Sequence, residues 1–116
     1  MATAITKDIE TGTSGAVTVK VGADTYNNSL GVEGCATTFT IAAVIAGSTP
    51  TGTLAITYKA VGGTVETLKD DYGVAITIDV SAPRAIRVKD VAVKEFIFTP
   101  SAFSNVTEYT VTVVGW

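Results

Sequence analysis

Apolar residues occupy every second position in two runs of the chain, residues 53–59 and residues 74–80. Because successive side chains of a β-strand point to opposite sides of a sheet, this period of two predicts strands with one buried and one solvated side. Between the runs lie a weaker alternating run and two turn signals, a Gly-Gly pair at 62–63 and the sequence DDYG at 70–73. We therefore predict an antiparallel meander with one buried face across residues 52–80.

Shorter alternating runs predict further strands on both sides of the meander. They lie at residues 16–21, 36–45, 85–89 and 109–113. In the second of these runs the alternation gives way to apolar residues at every position from 42 to 45. A continuously apolar strand predicts burial on both faces or a contact between subunits.

Two irregularities interrupt the last third of the chain. Near Asp90 and near Glu95 the apolar positions change parity, and a strand changes parity only at a turn or an extra residue, so we predict a β-bulge or tight corner at each point. Pro100 predicts a loop over residues 99–105, with Phe103 as its apolar anchor.

These runs amount to an all-β chain that folds as a single antiparallel β-sandwich of about eight short strands. A jelly-roll and an immunoglobulin-like topology both stay open, although the Cys…Trp…Cys spacing of immunoglobulin domains is absent. Residues 16–116 are assigned to the sandwich domain. Residues 1–15 are assigned to a flexible N-terminal arm, with a short strand at residues 3–9 as the alternative.

Charged residues make up only 16% of the 116 residues, whereas 47% are apolar. The length suits one domain, and the low charge predicts that partners or further copies cover part of the surface, although exposed threonines on strands also account for it. The net charge of −3 argues against nucleic acid as a partner. No segment reaches the roughly 20 apolar residues of a membrane span, so no membrane contact is expected either.

The chain contains no histidine and one cysteine, Cys35. The commonest general base and zinc ligand are therefore missing, and no internal disulfide can form. The adjacent Asp70 and Asp71 fit a polar turn better than a calcium site. We expect no enzymatic activity, no cofactor and no metal site.

Four residues are predicted to contact other chains. Val44 and Ile45 end the continuously apolar run, and Ile5 lies in the N-terminal arm, which is suited to adding a strand to a neighbour's sheet edge. Trp116 is the only tryptophan and the last residue. It either inserts into a neighbouring subunit or folds back over the end of the sandwich.

The sequence GTLAITYKAVGGTVETLKDDYGVAITIDVSAPRAIRVKDVAVKEFIFTPSA, followed by the ending EYTVTVVGW, resembles the small all-β virion proteins of tailed bacteriophages. The likeness covers about the last two thirds of the chain and lies in a Thr- and Val-rich meander, a proline-bearing turn and a terminal strand. It implies a non-enzymatic capsid decoration or cement protein of the virion. The implied partners are the major capsid protein, other virion proteins and copies of itself, often as trimers.

Two other functions stay open. An immunoglobulin-like module that binds a glycan or another ligand would use the loops at residues 22–34 and 47–52. A phage tail or neck component would differ from a decoration protein only in its location.

Overall fold

The computed structural model describes residues 6–21, 38–60, 63–89 and 93–116. Within these residues the chain forms nine β-strands and no helix. The strands are β1 (Thr6–Gly12), β2 (Val17–Lys20), β3 (Phe39–Ala46), β4 (Thr51–Ala60), β5 (Val65–Thr67), β6 (Thr77–Asp79), β7 (Ile86–Val88), β8 (Val93–Ser104) and β9 (Glu108–Gly115).

The strands form two antiparallel sheets that pack against each other around one core. One sheet has four strands in the order β1-β9-β3-β7. The other has five, in the order β2-β8-β4-β5, with β6 also paired to β4. The predicted all-β, two-sheet antiparallel fold is confirmed, with nine described strands where about eight were expected.

Aromatic residues join the two sheets at the centre of the core. Phe39 of β3 meets Phe96 of β8 edge to face, with the ring centroids 5.2 Å apart, an arrangement that aromatic pairs favour. The side chains that surround this pair are the inward members of the alternating runs, and Ile41, Ile56 and Val111 among them are at most 1% exposed. The period of two therefore identified most of the buried side chains correctly.

Tyr109 connects the turn between β1 and β2 to the core by a ring contact and a hydrogen bond. Its ring packs edge to face on Phe103 at 5.6 Å, and its hydroxyl donates a 2.6 Å hydrogen bond to the carbonyl oxygen of Gly15. Gly12 makes room for this arrangement, because a Cβ there would lie 2.8 Å from Cγ1 of Val17 and 2.9 Å from the Tyr109 hydroxyl oxygen.

The N-terminal region differs from the flexible arm that we predicted. Residues 6–12 form β1, which pairs along its whole length with β9, from Thr6 opposite Gly115 to Gly12 opposite Tyr109. The described part of residues 1–15 therefore contains a strand of the sandwich, as in the alternative. Residues 1–5, and Ile5 with them, lie outside the described residues.

The predicted meander is also rearranged. β5 and β6 do not pair with each other: both pair with β4, with Thr57 opposite Thr67 and Ala55 opposite Thr77, so that they follow one another along the same edge. The third predicted run still pairs with the end of the second through an antiparallel bridge between Lys69 and Ala75. The meander prediction was wrong only about residues 77–79, which pair with β4 instead. Val74 was also expected on the buried side, but it is 60% exposed because it closes the turn that begins at Asp70.

The predicted loop around Pro100 is absent, since β8 continues through it to Ser104. Pro100 is tolerated because the pairing of β8 with β2 stops at Phe98, opposite Val17, the first residue of β2. Beyond Phe98 that edge of β8 is unpaired within the described residues, so no N–H is needed there. The predicted bulge near Glu95 is confirmed by a register shift between Lys59 and Ala60 on β4. The position of the second predicted bulge, Asp90, lies outside the described residues.

Candidate interaction surface

The outward side of the four-stranded sheet, which we call the apolar face, has an uncharged centre. Neighbouring strands align its side chains in rows across the sheet. Its members on β1, β9, β3 and β7 are Lys7, Ile9, Thr11, Glu108, Thr110, Thr112, Val114, Thr40, Ala42, Val44, Ala46 and Arg87. Ile9 is 52% exposed and Val44 is 71% exposed, so two large apolar side chains protrude from this surface into solvent.

The centre of the apolar face consists of two adjacent rows. One row contains Ile9, Thr112 and Ala42, in that order across three strands. The next contains Thr11, Thr110 and Val44, and the hydroxyl oxygens of its two threonines are 3.0 Å apart, within hydrogen-bond distance. Because the two hydroxyls bond to each other, removing water from the centre leaves fewer hydroxyl groups without a hydrogen-bond partner.

Charges on the apolar face lie only at its ends and have opposite signs. Lys7 and Arg87 share the row of Val114 and Thr40 at one end. Glu108 lies opposite Ala46 at the other end, six residues along β9 from Val114 and therefore about 20 Å away. In this register none of the three charged residues has an oppositely charged neighbour directly across the strands.

The outward side of the five-stranded sheet, which we call the threonine face, is arranged differently. Its members are Thr18, Lys20, Glu95, Ile97, Thr99, Ser101, Thr53, Ala55, Thr57, Lys59, Val65, Thr67, Thr77 and Asp79. Glu95 lies opposite Lys20 on one side and Lys59 on the other, so opposite charges alternate within one row of the same chain. Cross-strand pairs of this kind are mildly stabilising without any partner.

The acidic side chains of Asp8 and Glu10 lie on the edge strand β1, next to β2. The Asp8 carboxylate accepts a 3.0 Å hydrogen bond from the backbone N–H of Lys20 on β2. The neighbouring negative charge of Asp8, together with a hydrogen bond between the two side chains, raises the pKa of Glu10. Charged side chains at a sheet edge disfavour pairing with another strand, so this edge is a poor template for association.

A groove of about 850 Å³ opens on the opposite side of the sandwich, between the β5 and β7 edges. Its apolar floor includes Leu68, Ile76 and Val88, and its polar rim includes Glu66, Lys69, Asp70, Asp71, Arg87 and Lys89. The Tyr58 hydroxyl donates a 3.3 Å hydrogen bond to Glu66. Burial, and then the charge of Glu66, raises the pKa of Tyr58, so this hydroxyl keeps its proton at neutral pH.

Asp70, one of the adjacent aspartates singled out from the sequence, builds a turn. One oxygen of its carboxylate accepts 2.9 Å hydrogen bonds from the backbone N–H groups of both Tyr72 and Val74. Among the described residues, no three Asp, Glu or Cys side chains gather closely enough to hold a metal ion. Cys35 lies outside the described residues, and within the described ones no helix is long and apolar enough to span a membrane.

The residues predicted to contact other chains separate in the structure. Val44 lies on the apolar face, whereas Ile45 points inward and packs against the core. Trp116 is half-buried and continues the β9–β3 ladder by exchanging backbone hydrogen bonds of 2.8 and 3.2 Å with Thr38. The register of β9 therefore places Trp116 on the same side of the sheet as Val114, at the basic end of the apolar face.

Sequence reasoning missed Ile9, Lys7 and Glu108 as members of this surface. Ile9 was assigned to a loose arm, and its exposure is informative only once β1 is known to pair with β9. The available signal was the alternation of residues 7–11, in which lysine, isoleucine and threonine occupy every second position.

The fold is similar to that of known structures. The crystal structure of the SPBc2 prophage-derived protein YomS matches with a TM-score of 0.53 and 9% sequence identity, over 94% of this chain and 95% of that chain. The two chains share a fold. A structure of Bacillus endospore appendages, described as disulfide-linked pili, matches with a TM-score of 0.42 and 15% identity, over 95% and 84% of the two chains, which is too loose a likeness to support an argument. No protein-family model and no curated protein sequence matches the chain.

Proposed function

We propose that this chain is a non-enzymatic structural protein of a bacteriophage virion, and more specifically a head decoration protein that binds and stabilises coat subunits. The observation that carries the proposal is the uncharged centre of the apolar face, from which Ile9 and Val44 protrude. Free monomers usually keep contiguous apolar surface small and mix charges across it, so a sheet face of this kind is suited to being covered. The fold shared with a prophage-derived protein supports a phage role.

The test is binding of the purified protein to phage heads that lack it, followed by heating until the heads release their DNA. We expect the protein to cosediment with the heads and to raise the release temperature, because a protein that binds only the assembled head stabilises it by mass action. Failure of the wild-type protein to bind heads would reject the proposal. Binding to isolated tails or necks instead would place it there.

Two variants test whether the broad faces of the sandwich contact the coat. A double variant with Val44→Lys and Val65→Lys places a charge on both broad faces, since Val65 is 54% exposed on the threonine face. We expect it to lose head binding while keeping the wild-type melting temperature. Tyr72→Ser is the matched control, because Tyr72 is 91% exposed on a turn away from both faces and should not be needed.

A ligand-binding module is the second candidate, and the groove between β5 and β7 is the observation that favours it. Its rim carries both acidic and basic side chains, and the Tyr58 hydroxyl also lines it, which suits a hydroxyl-rich ligand such as a glycan. The prediction is glycan binding that Tyr58→Phe and Arg87→Ala both weaken. Binding that neither substitution changes would exclude this groove.

A further inference from the structure

The strongest unexplained feature of the molecule is the pattern of charges on the apolar face. Lys20, Glu95 and Lys59 on the threonine face have opposite charges beside them in the same row. Lys7 and Glu108 do not, because each lies opposite an uncharged residue, Val114 and Ala46 respectively. A basic end and an acidic end about 20 Å apart on an otherwise uncharged face are complementary to the same face turned end for end.

We propose that the apolar face binds a second copy of this chain, with the two four-stranded sheets packed face to face about a two-fold axis. The inference rests on the proposed structural function and names the partner of one of its surfaces. The coat would then be contacted by surfaces that remain outside this pair. A two-fold contact uses the same patch on both protomers, which a face with complementary ends permits.

The charges select the direction of the axis. Rotation about an axis parallel to the strands would place β1 over β7, so Lys7 would face the partner's Arg87 and bring like charges together. Rotation about an axis in the plane of the sheet and perpendicular to the strands reverses the strand direction, so the basic end of each protomer covers the acidic end of the other. β9 then lies over β9, and Lys7 comes within one strand spacing of the partner's Glu108, which gives two such pairs per dimer.

The centre of the same arrangement is apolar. The rows of Ile9 and Val44 flank the axis, so each row meets the other row of the partner. The two threonines in the row of Val44 already bond to each other, so covering them leaves fewer unpaired hydroxyls. The sheet edges are poorer sites for a second copy, because β1 carries Asp8 and Glu10 and β7 is three residues long.

The size of the face sets the expected strength. Three strands of seven and eight residues at the usual spacings give a footprint of about 400 Å² per protomer, or about 800 Å² in total. This is below the roughly 1,000 Å² of a stable specific interface and is typical of a weak, transient contact. The dimer should therefore dissociate on dilution and form fully only at high protein concentration or where many copies are held side by side.

The decisive experiment is sedimentation equilibrium over a wide range of protein concentration at low salt. We expect a monomer–dimer equilibrium for the wild type and for the control Val65→Lys, and a monomer for Val44→Lys with an unchanged melting temperature. A dimer of Val44→Lys as tight as the wild type would overturn the proposal. So would a wild type that stays monomeric at millimolar concentration, or one that forms trimers.

A charge swap tests the axis itself. Lys7→Glu and Glu108→Lys should each weaken the dimer roughly ten-fold, since each alters two exposed pairs per dimer, and the double variant should return to within about two-fold of the wild type. A double variant no tighter than the single ones would refute the end-for-end arrangement. Head binding is measured in parallel: a monomeric wild type that still binds heads rejects only the dimer, whereas a dimer that binds no heads rejects only the proposed function.

Discussion

On the inner side of the four-stranded sheet, Phe39, Ile41 and Val113 are fully buried, whereas on its outer side Val44 is 71% exposed. Both sides are made by alternate residues of the same three long strands. Inner side chains meet the second sheet, and each contributes the free energy of removing its apolar surface from water. Outer side chains gain this only when another chain covers them. Substitutions on the two sides should therefore separate stability from association.

The largest expected effect comes from the inner side. Phe39→Ala removes a fully buried ring and its edge-to-face contact with Phe96, and should lower the free energy of unfolding by about 3–5 kcal/mol. Urea unfolding followed by circular dichroism measures the loss. Phe39→Leu should be milder and keeps the test informative if the alanine variant does not fold.

The outer side supplies the matched control for Phe39. Val44→Ala lies on the same strand and should change the free energy of unfolding of the monomer by less than about 0.5 kcal/mol. A loss as large as that of Phe39→Ala would mean that the two sides do not differ as described.

The second effect concerns the close packing around Gly12, where β1 meets the β1–β2 turn. Gly12→Ala places a methyl group against Cγ1 of Val17 and the Tyr109 hydroxyl, and should cost about 1–3 kcal/mol of stability. Gly15→Ala is the comparison, because a Cβ there meets nothing within 4 Å. Equal thermal melting of the two variants would contradict the close packing around Gly12.

The third effect is the loss of one hydrogen bond on the inner side. Tyr109→Phe removes the 2.6 Å bond to the Gly15 carbonyl and should lower the free energy of unfolding by about 0.5–1.5 kcal/mol. Burial raises the pKa of Tyr109 above its usual 10.0, so the unfolded chain loses the phenol proton first as the pH rises. Its contribution is therefore fully present below pH 10.0 and is lost as the pH passes through the folded pKa. Urea titrations across that range should show a shallower decline for Tyr109→Phe.

The sequence predicted the inner side far better than the outer side, for a physical reason. Alternation reports which residues of a strand face the core, and every second residue of the run at 109–113 is indeed fully buried. It does not report which strands become neighbours. β1 was taken for an arm because its inward positions are Asp8 and Glu10, which suit the sheet edge but do not resemble a core strand.

The same limit explains the candidate surface. Val44 was found because the apolar run around it is visible in one segment. Ile9 and Glu108 join Val44 only because β9 pairs with both β1 and β3, from which it is about 100 and 65 residues distant in the sequence, and no local pattern encodes such pairing. Ile45 was selected for its position beside Val44, and the pleat turns it to the opposite side of the sheet.

The smallest expected effect lies at the boundary between the two sides, on β1. Asp8 holds the pKa of Glu10 above its usual value of 4.5, so the folded chain retains this proton after the unfolded chain has released it. The contribution of Glu10 to stability is thus complete below pH 4.5 and is lost as the pH rises through the folded pKa. Glu10→Gln, which keeps a donor beside Asp8 at every pH, should melt at a slightly higher temperature than the wild type at neutral pH and at the same temperature in acid. A Glu10→Gln variant that melts below the wild type at pH 7 would contradict this prediction. It would mean that the Asp8 and Glu10 carboxylates together stabilise the folded β1 edge and do not destabilise it by repulsion.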